Sequence, residues 1–229
     1  MTPTRLFWAT VVVLVSFNLL RGAGVFGLAA DWVWLVLAIV LTAVALRGTM
    51  SRSDLGLERA TLRDGLRWGA FAFALVLMVI VVAALMPATS DFLHDARAEV
   101  PWWRLLIDVI VGIGLLTVVP EELMFRGVLQ GTAIRRWGSL RGLMVASVLF
   151  GLWHVFPTLS TAGGNSGLTG ADATLLGRIG LVIGAVVATT AAGAIFGWLR
   201  LRSGSIVAPM IAHLSTNGVA LVVAWIVLH

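Results

Sequence analysis

Residues 68–86 read Trp-Gly-Ala-Phe-Ala-Phe-Ala-Leu-Val-Leu-Met-Val-Ile-Val-Val-Ala-Ala-Leu-Met, an apolar block without a single charge. As a helix, a block of about 20 residues matches the roughly 30 Å hydrocarbon core of a bilayer. Six further apolar blocks are Leu6–Leu20, Trp32–Leu46, Trp102–Val119, Leu140–Phe156, Leu175–Leu199 and Ile206–Leu228. The sequence therefore predicts an all-α, polytopic transmembrane bundle of about seven spans, with eight as the alternative.

The composition also favours membrane burial over a soluble fold. Hydrophobic residues make up 59% of the 229-residue chain, charged residues only 12%, and the mean hydropathy is +1.00. A soluble domain of this length needs roughly a quarter of its residues charged. We find no repeat, so we predict a single transmembrane domain over residues 1–229, with a motif-bearing core of about 102–228. The absence of cysteine excludes disulfides, thiolate metal sites and a cysteine nucleophile.

The arginines predict the orientation in the bilayer, since every basic residue of the chain is Arg. If the N-terminus is cytoplasmic, the inner side holds Arg47, Arg52, Arg59, Arg63, Arg67, Arg135, Arg136, Arg141, Arg200 and Arg202. The outer side then holds little beyond Arg21, Arg97, Arg104 and Arg178. Cytoplasmic loops are enriched in basic residues, so we expect the N-terminus inside and the C-terminus outside. Arginines spread over several loops do not indicate a nucleic-acid partner.

Two connections carry predictions of their own. Ser51–Arg67 alternates basic and acidic residues and is typical of an interfacial helix before the third span. Thr158–Thr174 is rich in Gly, Ser, Thr and Asn, which predicts a flexible loop on the outer side.

Ionisable residues inside apolar blocks are the best candidates for function, because each costs at least ~2.5–3.5 kcal/mol at the centre of a membrane helix. The stretch Pro120-Glu121-Glu122-Leu123-Met124-Phe125-Arg126 lies in an apolar run that continues to Ile134. On a helix, Glu122 and Arg126 share a face and can form an ion pair. Glu121 points about 100° away from that pair and is left for another role.

The length of this span needs an explanation. A continuous helix from Trp102 to Ile134 would be about 50 Å long, which exceeds the hydrocarbon core. A break at Pro120, a strong tilt or an interfacial first turn must absorb the excess.

Two later blocks carry histidines, in Phe150-Gly151-Leu152-Trp153-His154 and in His213-Leu214-Ser215-Thr216-Asn217. Alone, a histidine on an apolar face is more often a hydrogen-bonded core residue than a ligand, and the His213–Asn217 pair could simply join two helices by hydrogen bonding. Their depths decide between these interpretations. Glu121, His154 and His213 lie 14, 13 and 11 residues from Arg135, Arg141 and Arg202. On helices these separations correspond to about 21, 20 and 17 Å. The common depth predicts one polar site within the membrane.

The three motifs, Glu-Glu-x-x-x-Arg, Phe-x-x-x-His and His-x-x-x-Asn, occur in this order over residues 121–217. In this respect the chain resembles the CPBP family of intramembrane proteases, also called the Abi or type II CAAX prenyl endopeptidase family. The resemblance implies a helical fold around a conical cavity, and endopeptidase activity. It does not extend to the first 100 residues, which carry no recognisable motif.

The resemblance also implies roles for individual residues. Glu121 would activate water, and His154 would hold and polarise it. His213 and Asn217 would bind the substrate carbonyl or its oxyanion. Glu122 and Arg126 would hold the first helix in place, with Phe150 as a supporting residue of the second motif.

The sequence is compatible with a metal-dependent and with a metal-free mechanism. Family members have been described both as metalloproteases and as glutamate-dependent proteases without a catalytic metal. Glu121, His154 and His213 could hold a divalent metal such as zinc with an open position for water. Glu121 would then have to serve as ligand or as base, and for this reason we favour the direct glutamate mechanism.

Other classes of protein share some of these sequence features. A rhomboid-type serine protease would use Ser166 of Gly164-Asn165-Ser166-Gly167. The order of the motifs argues against this class, because His-x-x-x-Asn follows the serine element here and the only later histidine is the terminal His229. Site-two zinc proteases need His-Glu-x-x-His, which is absent. The alternative from another class is a non-proteolytic immunity or scaffold protein, such as a bacteriocin-immunity factor, that binds peptides in the same cavity.

The expected substrate follows from the composition as well. The absence of Lys and Cys, with abundant Ala, Val, Gly and Arg, indicates a GC-rich prokaryotic genome. We therefore expect a protein of a prokaryotic cell membrane whose partners are the bilayer and a membrane-associated peptide or precursor protein. A prenylated substrate is not expected, despite the name of the family.

Overall fold

The computed structural model describes residues 1–86, 89, 95–161 and 174–229. Its helices are α1 (Pro3–Gly22), α2 (Ala30–Arg47), α3 (Leu62–Leu85), α4 (Trp102–Trp137), α5 (Ser139–Trp153), α6 (Val155–Thr161), α7 (Leu175–Ser203) and α8 (Val207–Leu228). Seven helices in the described part of the chain, one of them formed by α5 with the start of α6, are long and apolar enough to cross a membrane. The predicted all-α polytopic bundle is confirmed.

Helix α4 runs unbroken through Pro120 for 36 residues, so the break considered above does not occur. Two stretches, Asp108–Val118 and Leu123–Leu129, are π-helical, and Pro120 lies between them. The N–H of Val119 donates to the carbonyl of Gly114, five residues back. Proline lacks the N–H of an α-helical bond and crowds the carbonyl four residues earlier. A wider turn therefore precedes Pro120, and the helix continues through this residue.

Aromatic and aliphatic packing places α4 at the centre of the bundle. On one side, a buried cluster joins it to α1, α2 and α5; its large members include Phe17, Trp34, Phe125, Phe150 and Trp153. A second cluster joins α3, α7 and α8 through residues such as Phe196, Leu199 and Ala212. Many Val, Ile and Leu side chains on the outside of α1, α3 and α7 are exposed, as expected of surfaces that face lipid.

The two ends of the bundle are defined by the contacts of its connections. On the N-terminal face, Arg136 donates to Thr4, and Arg200 donates to the carbonyls of Ser53 and Asp54. This face holds the ten arginines that the sequence groups together. The opposite face holds the Arg21–Asp31 ion pair between α1 and α2 and the short 3₁₀ turn Ala96–Ala98.

The connection before α3 is not a helix along its whole length, so this prediction is wrong for its first half. Residues 51–58 form turns, and α3 begins only at Leu62 after a 3₁₀ turn at Arg59–Thr61. The backbone N–H and the hydroxyl of Ser51 both donate to Asp54 Oδ2, each at 2.8 Å. Gly56 adopts a φ of +71°. Local side-chain bonds and a left-handed glycine compete with helix formation here.

Candidate active site

A cavity of about 630 Å³ lies within the bundle, between α4, α5, α7 and α8. Five of the residues predicted from the sequence line it, namely Glu121, Phe150, His154, His213 and Asn217. Arg21, Asp95, Arg97 and Pro157 of the opposite face also line it, so the cavity reaches toward that face. Glu122 and Arg126 lie behind its wall. Glu121, His154 and His213, which the sequence places at a common depth, therefore line one cavity.

Glu121 is buried, and its two carboxylate oxygens have different surroundings. Oε1 accepts a hydrogen bond of 2.9 Å from the indole Nε1–H of Trp153. Oε2 is buried without a hydrogen-bond partner among the described residues, and it lies 3.9 Å from Nε2 of His213. One oxygen is therefore held in place, while the other still has lone pairs to offer.

Glu122 is fully buried and joins two side chains, Arg126 and His213. Its Oε1 accepts from Nη1 of Arg126 at 3.0 Å, which is the ion pair that the spacing predicts. The same oxygen lies 2.8 Å from Nδ1 of His213. Since a carboxylate oxygen accepts, Nδ1 carries a proton. This second contact ties α4 to α8.

Arg126 is held by aromatic rings as well as by charge. Its guanidinium lies 3.9 Å from the centre of the Phe150 ring and 5.0 Å from that of Phe196. Phe196 also stacks on the His213 ring, with a centroid separation of 5.2 Å. A buried guanidinium gains from such faces, and Phe150 thereby supports the site without a polar group of its own.

His154 ends α5 and is half-buried at the cavity wall. Its Nδ1 lies 2.8 Å from the carbonyl oxygen of Phe150, and its ring contacts the Phe150 ring. A carbonyl oxygen only accepts, so Nδ1 carries a proton. In the neutral ring, Nε2 is then the nitrogen with a lone pair.

Asn217 lies one turn beyond His213 and is the most exposed of the predicted residues. It falls in a π-helical turn of α8, Ser215–Val219, and lines the same cavity. Its Oδ1 lies 3.5 Å from the hydroxyl of Thr216, so Nδ2 is its donor group. The predicted common face of His213 and Asn217 is present.

Sequence analysis missed two residues of the site, Trp153 and Phe196. A signal for Trp153 exists in retrospect: it lies next to His154 in the interior of the bundle, and a buried indole N–H usually has a partner. Phe196 is one apolar residue among many in α7, and nothing in the sequence distinguishes it.

Some predictions concern residues outside the described ranges. Ser166, on which the serine-protease alternative depends, lies there together with most of the predicted loop Thr158–Thr174. The start of this loop was placed too early, because α6 continues to Thr161.

Glu121, His154 and His213 are the candidate ligands for a metal ion. Within the residues that the structure describes, no three His, Asp or Glu side chains lie close enough together to hold a metal ion. Nδ1 of both histidines is occupied by a protein acceptor, and Glu121 is bonded to Trp153. These bonds leave Nε2 of both rings and Oε2 of Glu121 available, so a metal held by Glu121, His154 and His213 stays a prediction.

Seven apolar helices and a buried Glu–His cluster at an intramembrane cavity define a polytopic integral membrane protein with a polar site in its bundle. A family model described as type II CAAX prenyl endopeptidase Rce1-like matches residues 101–219. This match covers half of the chain and all three motifs, and the chain belongs to this family of CAAX-type intramembrane endopeptidases. Comparisons with curated proteins and with solved structures gave no match.

Proposed function

We propose that the protein hydrolyses peptide bonds of membrane-associated peptides or precursor proteins, with Glu121 as the general base. The observation that carries this proposal is the asymmetry of the Glu121 carboxylate. Oε1 is held by Trp153, whereas Oε2 lies buried beside His213 with no hydrogen-bond partner among the described residues. Such an oxygen can take a proton from a water molecule next to a bound peptide.

The proposed reaction uses groups of this chain for each step. Water transfers a proton to Oε2 of Glu121 while its oxygen bonds to the carbonyl carbon of the substrate. Neutral His154 accepts a hydrogen bond from the same water at Nε2, because its Nδ1–H is committed to Phe150. Glu121 then returns the proton to the leaving nitrogen as the C–N bond breaks, giving a carboxylic acid and an amine.

The developing oxyanion needs hydrogen-bond donors, and the cavity offers two. Asn217 supplies Nδ2–H, and His213 supplies Nε2–H when its ring is protonated, since Nδ1–H is committed to Glu122. A protonated His213 and Arg126 together place two positive groups against the two carboxylates of Glu121 and Glu122. Fixed donors in a dry site stabilise the transition state without reorganisation.

The direct test is cleavage of a quenched fluorescent peptide library by purified protein in lipid, comparing wild type with Glu121→Gln and His154→Ala. Glutamine at 121 keeps an acceptor for Trp153 but cannot take up the proton, so we expect kcat to fall by at least ~10²-fold. Size-exclusion chromatography checks that both variants are folded.

Repeating the assay with the chelator EDTA distinguishes the direct glutamate mechanism from a metal-dependent one. Cleavage that persists in EDTA supports the direct glutamate mechanism, and cleavage that EDTA abolishes and zinc restores overturns it. Equal background cleavage in all three proteins, with both variants folded, would instead favour an immunity or scaffold role by peptide binding.

A further inference from the structure

Trp153 occupies a position that the catalytic proposal does not yet explain. Its indole N–H donates to Oε1 of Glu121, and its ring is enclosed on several sides. The ring stacks on Trp34 of α2 with centroids 4.6 Å apart, and it contacts Phe17 of α1 and Phe125 of α4. Rotation of the side chain away from Glu121 would disrupt this stack.

The backbone of Trp153 is held from α1 as well. In a continuous helix its carbonyl would accept from the N–H of residue 157, but that residue is Pro157, which has none. The buried Nδ2 of Asn18 donates to this carbonyl instead, at 2.9 Å. Pro157 thus frees an acceptor at the end of α5, and α1 satisfies it.

The chemistry of the indole group decides what this contact does. An indole N–H donates and never accepts, and in a protonated carboxyl group the carbonyl oxygen is the stronger acceptor, so the bond favours an unprotonated Oε1. A proton taken up by Glu121 therefore resides on Oε2, the oxygen 3.9 Å from His213. Without Trp153 either oxygen could take the proton, and the carboxylate could rotate.

We propose that Trp153 is a positioning residue that directs proton uptake by Glu121 to Oε2, and that α1 holds it in place through the bond from Asn18 to its carbonyl. Helix α1 lies outside residues 101–219, the part of the chain that matches the family. This helix is thus part of the catalytic architecture. This inference rests on the proposed function of Glu121.

Two matched substitutions test it in the full-length protein. Trp153→Phe removes the N–H that Glu121 accepts. Trp34→Phe makes the same change in the same stack, but the buried Nε1 of Trp34 has no hydrogen-bond partner among the described residues. We expect Trp153→Phe to lower kcat by about tenfold or more with KM changed less than about twofold, since a hydrogen bond to a charged group is lost. Trp34→Phe should keep kcat within about threefold.

A third variant covers the case in which Trp153→Phe does not fold. Asn18→Leu leaves Trp153 and Glu121 intact, and it should lower kcat by about three- to tenfold without raising KM. Cleavage by Trp153→Phe with wild-type kcat, or equal losses in Trp153→Phe and Trp34→Phe, would overturn the inference. If Trp153→Phe is unfolded, a wild-type kcat in Asn18→Leu would overturn the inference. Wild-type protein no more active than Glu121→Gln would instead reject the proposed function itself.

Discussion

Nδ1 of His213 lies 2.8 Å from Oε1 of Glu122, although the two residues are 91 positions apart in the chain. The histidine of the third motif is therefore bonded to the second glutamate of the first motif, while the first glutamate faces the cavity. Adjacent residues of identical chemistry thus have different surroundings. Glu122 joins α4 to α8, and Glu121 faces the cavity.

The two glutamates should respond differently to the same substitution. Glu122→Gln removes the charge that balances buried Arg126, and breaking a buried ion pair costs about 3–5 kcal/mol. Glu121→Gln keeps its bond to Trp153, so we expect a melting temperature close to that of the wild type. Thermal unfolding in detergent, followed by intrinsic fluorescence, measures both. A Glu122→Gln variant as stable as Glu121→Gln would contradict the structural role of Glu122.

The contact between α5 and α7 depends on a glycine. A Cβ at Gly151 would collide with Thr190 and lie 2.7 Å from the carbonyl oxygen of Val186. Gly151→Ala should destabilise the protein by about 1–3 kcal/mol and lower activity, because it displaces the helix end that carries Trp153 and His154. A Cβ at Gly184 of α7 would meet no described atom within 4 Å, so Gly184→Ala is the control. Equal stability of the two variants would show that this contact is not tight.

The stability of the protein should depend on pH through Asp95, which lines the cavity near the face opposite the N-terminus. Burial alone would raise the pKa of its carboxyl group, but the hydrogen bonds and charge of Arg97 outweigh this, and the pKa lies below the usual 3.8. A carboxylate whose pKa is lower in the folded state stabilises the fold above the unfolded-state pKa. That stabilisation is lost as the pH falls through the folded-state pKa.

Asp95→Asn should therefore be less stable than wild type at neutral pH, by about 1–3 kcal/mol for a charged hydrogen bond. The difference in melting temperature should narrow below about pH 4. Asp31→Asn, in a half-exposed pair with Arg21, serves as the control and should cost about 1 kcal/mol or less. A difference for Asp95→Asn that stays constant down to pH 2 would argue against the lowered pKa.

The orientation inferred from the arginines is open to chemical labelling, because the chain has no cysteine. Ser53 of the N-terminal face and Ala96 of the opposite face are both exposed. With the N-terminus cytoplasmic, Ala96→Cys should react with a membrane-impermeant maleimide on intact cells. Ser53→Cys should react only after permeabilisation, and the reverse pattern would invert the topology.

Much of this architecture follows from the sequence, and the limits have physical causes. Apolar blocks of span length predict the helices, and i, i+4 spacing predicts the Glu122–Arg126 pair, because both depend on local periodicity. The bonds from Trp153 to Glu121 and from His213 to Glu122 join different helices. Their partners depend on how α4, α5 and α8 rotate against each other, and that rotation is set by packing. Arg200, which lies far along the chain, also donates to two carbonyls of the turns at residues 51–58, and sequence periodicity does not predict this contact.

The π-helical turns of α4 have a consequence for insertions and deletions. A π turn closes with an i→i+5 bond and so holds one residue more than an α turn. A one-residue deletion within Asp108–Val118 can convert a π turn to an α turn and leave the angular phase of Glu121 unchanged. The same deletion in α7, which is α-helical throughout, would rotate all that follows by about 100°. Helix α4, which carries the glutamates, can therefore lose a residue before Pro120 without rotating them, whereas α7 cannot lose one without rotating the residues that follow.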